Sequence, residues 1–287
     1  MHPLFRMIRP GNVVMAGGSV WLAAWIGGAD LGQHGLWLDG VALGLLAALG
    51  NLHNDLVDLP VDQVNRPERP LPSGLVSSQQ VWSVILLGLC LLVILGLLRD
   101  VPHGIFFVVV AVLLFVYNRW LKGWPVVGNL AVALLCASAL WVPLLDQQVW
   151  STGSHPEWLW PLVGFSFLFT WVRELVKDVE DMAGDGCAHL KTLPLLIGKR
   201  RSLVVAQGLL FLCVGSILLP WMRVIYPFAF VVVCVLTVLP WVGRAWLALR
   251  SKNTTLRVAQ KSLKMAMVGG LVASILVFRL FPVFGWL

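Results

Sequence analysis

Nine predominantly apolar stretches follow one another along this chain, near residues 11–29, 35–53, 79–98, 103–120, 125–145, 158–176, 202–220, 225–248 and 262–284. Each approaches the ~20 residues that a helix needs to cross about 30 Å of hydrocarbon. A segment in lipid must satisfy its backbone donors and acceptors internally, so consecutive stretches of this length dictate helices. The composition agrees: 59% of the 287 residues are hydrophobic and 12% are charged, against about 25% charged in a soluble domain. The expected fold is all-α: a polytopic membrane protein with about nine transmembrane helices in a single bundle, one domain over residues 1–287. Arg6 and Arg9 ahead of the first stretch imitate the start of a signal peptide. We read that stretch as the first span, because its removal leaves eight helices and discards Gly17, Gly18 and Trp21.

Lys and Arg collect in cytoplasmic loops, so their distribution orients the spans. With a cytoplasmic N-terminus, only Arg99, Arg223 and Arg279 fall on the outer side or in the last span. The other 18 of the 21 basic residues then face inward (21 − 3). The net charge of +7 is thus explained by topology and needs no nucleic acid. The five cysteines show no paired spacing, and Cys90, Cys136, Cys213 and Cys234 lie in apolar runs, where cysteine behaves as a small hydrophobe. Neither disulfides nor a zinc site is expected. Of the 15 tryptophans, Trp37, Trp120, Trp124, Trp158, Trp160, Trp221 and Trp286 mark span ends as an interfacial belt, while Trp21, Trp25 and Trp171 are candidates to line a substrate cavity.

Nine of the 14 acids fall in two short segments: Asp55, Asp58, Asp62 and Glu68, then Glu174, Asp178, Glu180, Asp181 and Asp185. Both follow the cytoplasmic end of a span. Asp55, Asp58 and Asp62 are spaced i, i+3, i+7, which on a continuous helix stacks three carboxylates on one face. In the second segment Glu174, Lys177 or Asp178, Asp181 and Asp185 repeat that arithmetic. Carboxylates so placed repel one another unless a cation lies between them. Hard oxygen ligands without a Cys or His cluster favour Mg²⁺, which takes one or two carboxylates and fills its shell with water and substrate phosphate. The pairs Asp58/Asp62 and Asp181/Asp185 lie 123 residues apart, and each precedes a basic, proline-containing tail ending in glycine, Arg66 to Gly74 and Lys191 to Gly198. The chain thus reads as two pseudo-repeated halves with acidic loops at 54–74 and 173–201. Two such faces suit two Mg²⁺ ions around a diphosphate, with Arg66, Arg69, Lys122 and Lys191 on the remaining oxygens. His53 and His189, each near a segment, are read as loop or interface residues.

Asn54-Asp55-Leu-Val-Asp58-Leu-Pro-Val-Asp62, continued by Asn65-Arg-Pro-Glu-Arg-Pro-Leu-Pro-Ser-Gly74, resembles the first signature of the UbiA superfamily of intramembrane prenyltransferases. Arg173 to Asp185 resembles its second aspartate motif. The resemblance implies Mg²⁺ as cofactor, a prenyl diphosphate donor, a lipid or aromatic acceptor, and a hydrophobic tunnel open to membrane lipids. Carried over residue by residue, it makes Asn54, Asp55, Asp58 and Asp62 the first metal site and Asp181 and Asp185 the second. It casts Arg66, Arg69, Lys122 and Lys191 as diphosphate contacts. Asn54 and Lys177 are expected to join them, Asp58, Asp62, Asp181 and Asp185 to be catalytic, and Asp178 or Glu174 to orient or deprotonate the acceptor. Lys177 stands where the quinone-pathway pattern often has tyrosine. The form of this motif, with Leu190-Lys-Thr-Leu-Pro194 after it, looks more like the branches that form geranylgeranyl lipids or act on chlorophyll precursors. The expected reaction is transfer of a geranylgeranyl group to an acceptor like geranylgeranylglyceryl phosphate. The alternative within the class is an aromatic quinone, tocopherol or chlorophyll precursor.

Two other classes were weighed. An ion-coupled transporter carries acids within its spans, whereas these cluster at span ends, with Asp39 the exception near the outer end of the second span. A CDP-alcohol phosphotransferase would carry a DGxxAR signature, which is missing. The expected location is the inner cell membrane, with the site facing the cytoplasm.

Overall fold

The computed structural model describes residues 2–146, 150, 154–187, 191–222, 226–251 and 256–280. His189, Arg223 and Trp286 lie outside them, as do the side chains of Cys187 and Trp221. The described residues are helical, with no strand among them. In chain order the helices are α1 (Pro3–Met7), α2 (Pro10–Ile26), α3 (His34–Val57), α4 (Leu59–Asn65), α5 (Ser78–Arg99), α6 (Val101–Arg119), α7 (Val127–Trp141), α8 (Leu159–Cys187), α9 (Leu193–Ile197), α10 (Lys199–Met222), α11 (Phe228–Thr237), α12 (Leu239–Arg250) and α13 (Leu256–Ile275).

Among the described residues seven helical segments are long and apolar enough to cross a membrane, and α11 with α12, bent by 46°, makes an eighth if the pair is one span. The remaining expected span corresponds to α2. Its 17 residues reach about 26 Å, short of a ~30 Å hydrocarbon core. The bend falls where Pro240 opens α12, since proline supplies no N–H to continue a helix.

The chain separates into two compact units. One comprises Met1–Lys122 with Ser138–Ser154, the other Gly123–Ala137 with His155–Leu287. In the first, α3 is the central element and packs against α2, α5 and α6. Small residues let these helices approach, as lipid-embedded helices require. A Cβ on Gly17 of α2 would lie 2.6 Å from the Gly40 carbonyl oxygen of α3, and one on Gly96 of α5 would lie 2.8 Å from Gly104 Cα of α6. In the second unit α8 and α13 are central, with α8 on α10 and α13 on α11 and α12. There Trp158, expected in an interfacial belt, is instead buried and stacked on Phe278, with its carbonyl accepting from the Tyr226 hydroxyl. Trp37, Trp120, Trp124 and Trp160 are exposed, as a belt requires. Trp21 packs on Trp37 with ring centroids 4.6 Å apart.

Asp39 is fully buried in the first unit. Arg99 Nε donates to it at 3.2 Å, and the same guanidinium pairs with Asp146 and, at 3.3 Å, with Asp100. His103 adds its ring to Asp100 at 2.8 Å. Partial burial opposes ionisation of Asp100, but the backbone and ring hydrogen bonds of His103 prevail and hold its carboxyl below the usual value. Arg99 is the cation that makes a buried Asp39 tolerable. Arg99→Met is expected to cost about 3–5 kcal/mol, because a buried carboxylate loses its partner. Thermal unfolding in detergent checks this, and adding Asp39→Asn is expected to recover part of the loss.

Candidate functional site

The first acidic segment does not form one continuous face. α3 ends at Val57, and Asp58 is the junction with α4. The cause is Pro60, whose ring and missing N–H oppose an unbroken helix through this turn. The acids consequently fall into two groups. Asn54 and Asp58 share one cation: Lys122 Nζ lies 3.3 Å from Asn54 Oδ1 and 2.8 and 2.6 Å from the two Asp58 oxygens. Asn54 Nδ2 also donates to Asp58 Oδ2 at 2.9 Å, which aims the amide oxygen toward the ammonium. Asp55 and Asp62 are both buried and carry arginines instead. Arg9 donates to Asp55 at 2.6 Å and Arg69 pairs with Asp62, while Arg69 also lies 3.9 Å from Asp55. Arg66 and Glu68 are exposed.

The basic tail is anchored by its apolar residues. Leu71 and Val76 are buried against Met7, Leu49, Leu52, Val81 and Ile85, which places Arg69 over the acids. The tail closes at Gly74, φ +76°, and the matching tail of the second unit closes at Gly198, φ +84°. Both are left-handed positions that only glycine occupies without cost.

The second segment lies on a single helix. Asp178, on α8, accepts from Asn129 Nδ2 of α7 at 2.9 Å. Glu174 is buried between Arg173 at 2.6 Å and Lys177 at 3.6 Å. Asp181 is exposed and Asp185 half-buried on the same face. Glu180 points elsewhere, to Arg257 at 3.0 Å and Gln260 at 2.5 Å on α13. Lys191 extends an exposed side chain while its backbone N–H donates to Gly123 O at 3.0 Å.

Three contributors escaped sequence reasoning. Arg9 reads in the sequence only as a positive-inside residue, yet it binds Asp55 and, at 3.1 Å, Asn51. Asn129 had one legible sign, a lone amide in an apolar run. His53, read as a loop or interface residue, is buried in α3, stacked on Phe115 at 4.2 Å, and 3.3 Å from the amide nitrogen of Asn118. Among the described residues two non-glycine residues have positive φ, Arg9 at 53° and Val126 at 67°, and both stand beside these contacts. Arg9 makes one itself, and Val126 lies one turn before Asn129. Backbone strain of this kind persists where the surroundings over-determine it, and it concentrates at functional sites.

Among the described residues no three His, Cys, Asp or Glu side chains converge as a metal cage. Mg²⁺ does not ask for one, since it takes few carboxylates and completes its octahedron with water and phosphate. The three oxygens that Asn54 and Asp58 direct at the Lys122 ammonium already form a hard, cation-holding set, so the residues fit that ion. Arg9 and Asp55 should prove coupled. Alanine at both is expected to fall short of the summed single losses by about 1–3 kcal/mol, read from unfolding midpoints of the four proteins.

A family model described as the UbiA prenyltransferase family matches residues 13–268. The digeranylgeranylglyceryl phosphate synthase of Natronomonas pharaonis is 33% identical over 275 residues, covering 95% of each chain. A solved structure of digeranylgeranylglyceryl phosphate synthase superposes with a TM-score of 0.73 at 25% identity, covering 95% of this chain and 98% of that one. A UbiA homologue from Archaeoglobus fulgidus, solved bound to GPP and Mg²⁺, gives a TM-score of 0.65 at 19% identity, covering 96% and 99%.

Proposed function

The chain belongs to the UbiA prenyltransferase family and is a multi-pass membrane prenyltransferase, and we propose that it transfers a geranylgeranyl group from its diphosphate to the hydroxyl of an acceptor such as geranylgeranylglyceryl phosphate. The observation that carries this reading is the oxygen set of Asn54 and Asp58 around one cation. The relatives supply the substrates by analogy: a digeranylgeranylglyceryl phosphate synthase matched over 95% of the chain, and a homologue of the same fold bound to GPP and Mg²⁺.

Asn54 and Asp58 would hold one Mg²⁺, and Asp181 and Asp185 a second. Bound there, Mg²⁺ supplies positive charge to the diphosphate leaving group. Arg66, Arg69, Lys122 and Lys191 take the diphosphate oxygens that remain, and Lys122 exchanges Asp58 for phosphate as the donor arrives. Asp55, committed to Arg9, anchors the segment and is not counted among the ligands. Stabilising the leaving group lowers the barrier to breaking the donor C1–O bond, whose electron pair departs with the diphosphate. The acceptor oxygen forms the new bond to C1, and its proton passes to the Asp178 carboxylate, which Asn129 holds in place. The apolar helices around the reacting carbon keep water from the cationic carbon.

Asp58→Ala and Asp181→Ala are each expected to reduce diphosphate release from geranylgeranyl diphosphate by at least ~10³-fold, in proteins that still assemble. Wild-type turnover in either variant would remove the metal assignment. The same assay without added divalent cation should be silent, and product from 4-hydroxybenzoate or chlorophyllide but not from the glyceryl phosphate lipid would reverse the choice of acceptor.

The distribution of basic residues supports a cytoplasmic N-terminus, with both acidic segments on that face of the inner membrane. A cysteine placed at Ala183 in a cysteine-free background should react with an impermeant maleimide only after the membrane is opened. Labelling of intact cells would contradict the orientation.

A further inference from the structure

α8 carries a second charged group that the metal and diphosphate roles leave unexplained. Glu174, with its side chain 8% exposed, is bracketed by two cations: Arg173 Nη2 at 2.6 Å from Oε1 and Lys177 Nζ at 3.6 Å from Oε2. Both cations keep accessible heads, 27% and 51% exposed. Arg173 and Lys177 are one turn apart and share a stripe of the helix. Two cations on one buried carboxylate leave a net positive charge on the accessible side of this turn. Of the neighbouring acids, Asp178 takes the Asn129 amide and Glu180 takes Arg257 and Gln260, while Asp181 lies exposed one turn beyond Lys177.

Helix geometry separates this group from the second pair of proposed metal ligands. Arg173 precedes Asp181 and Asp185 by eight and twelve residues, about 12 and 18 Å along the axis. A diphosphate held at those aspartates falls short of the Arg173 guanidinium; Lys177, about 6 Å before Asp181, is tied to Arg173 through Glu174, which sets the pair toward a different anion. We infer that Arg173 and Lys177, oriented by Glu174, bind the phosphate of the acceptor lipid, which rests on the phosphate-bearing acceptor proposed above. Lys177 thereby leaves the set of donor contacts expected from the sequence. Glu174 is a positioning residue: it preorders two long side chains whose freedom would otherwise be lost on binding. Arg173 offers the planar fork that matches two phosphate oxygens, and Lys177 adds a point charge. The location also suits the reaction. Asp178 lies one residue beyond Lys177 and five beyond Arg173, about 1.5 and 7.5 Å along the axis. In a glyceryl phosphate ether the reacting hydroxyl sits on a carbon next to the one bearing phosphate, so one headgroup spans phosphate subsite and proton acceptor.

The test measures KM for geranylgeranyl diphosphate, for geranylgeranylglyceryl phosphate and for the dephosphorylated geranylgeranylglycerol, in wild type, Lys177→Met, Arg173→Gln and Lys177→Arg. Lys177→Met and Arg173→Gln are each expected to raise KM for the phosphate acceptor about tenfold or more, the loss of one charge-assisted contact, with KM for the donor and the alcohol within about twofold. Lys177→Arg should restore the wild-type value. Lys177 projects half-exposed from α8, so its replacement leaves the packing intact, and an unchanged donor KM is the internal check. An unchanged KM for the phosphate acceptor in both variants, or a rise in donor KM instead, overturns the inference while leaving the acceptor assignment standing. Equal use of phosphate and alcohol by the wild type contradicts the acceptor assignment itself, and the inference with it.

Discussion

A carboxylate at the end of a helix that faces lipid must find a cation, because leaving water unpaired costs several kcal/mol per ion. Much of this molecule answers that demand. Asp39 has Arg99, Asp55 has Arg9, Asp62 has Arg69, Asp58 has Lys122 and Glu174 has Arg173. The first unit reaches across sequence to do so: Arg9 and Asp55 are 46 residues apart, and Lys122 and Asp58 are 64 apart. These pairs therefore determine where the ends of the helices meet, as well as which carboxylates a substrate finds already matched.

The pairs differ in what they can do. Asp39 is fully buried, and its carboxylate is shared by Arg99 and the nearby ring of His103, an arrangement with no room for exchange. Asp58 and Lys122 are each about a quarter exposed, so their contact can open when a metal ion and a phosphate arrive with compensating charges. The Arg9 contact with Asp55 joins a carboxylate side chain that is 10% exposed to a guanidinium side chain that is 36% exposed. It ties the N-terminal helix to the last turn of α3 and holds Arg9 in a left-handed backbone conformation. On the proposed function, the same elementary interaction would serve as a staple in one place and a substrate-responsive pair in another.

Much of this was legible in the sequence, because membrane helices write themselves as long apolar runs and because acids are scarce enough to stand out. The helical fold, both acidic segments and the glycine that ends each tail were all readable there. The division within the first segment was not. The i, i+3, i+7 spacing assumes one helix through Asp58, and Pro60, visible in the sequence, breaks it. Arg9 was hidden for another reason: its partner is set by how α1 and α2 fold back on α3, which no local pattern encodes. Trp158 shows the limit of belt reasoning, since its neighbours Tyr226, Phe230 and Phe278 come from distant stretches and form an aromatic core around it. Span counting meets a similar limit at α2, whose pattern reads as a crossing but whose helix is only 17 residues long.

The claim on which the rest turns is that Asn54 and Asp58 hold the metal while Asp55 anchors Arg9. Mn²⁺ titration followed by electron paramagnetic resonance tests it without turnover, in protein whose second segment carries Asp181→Asn and Asp185→Asn. The account predicts that Asp58→Asn abolishes the bound-ion signal and that Asp55→Asn retains it. Loss of the signal in Asp55→Asn with its retention in Asp58→Asn would contradict the account.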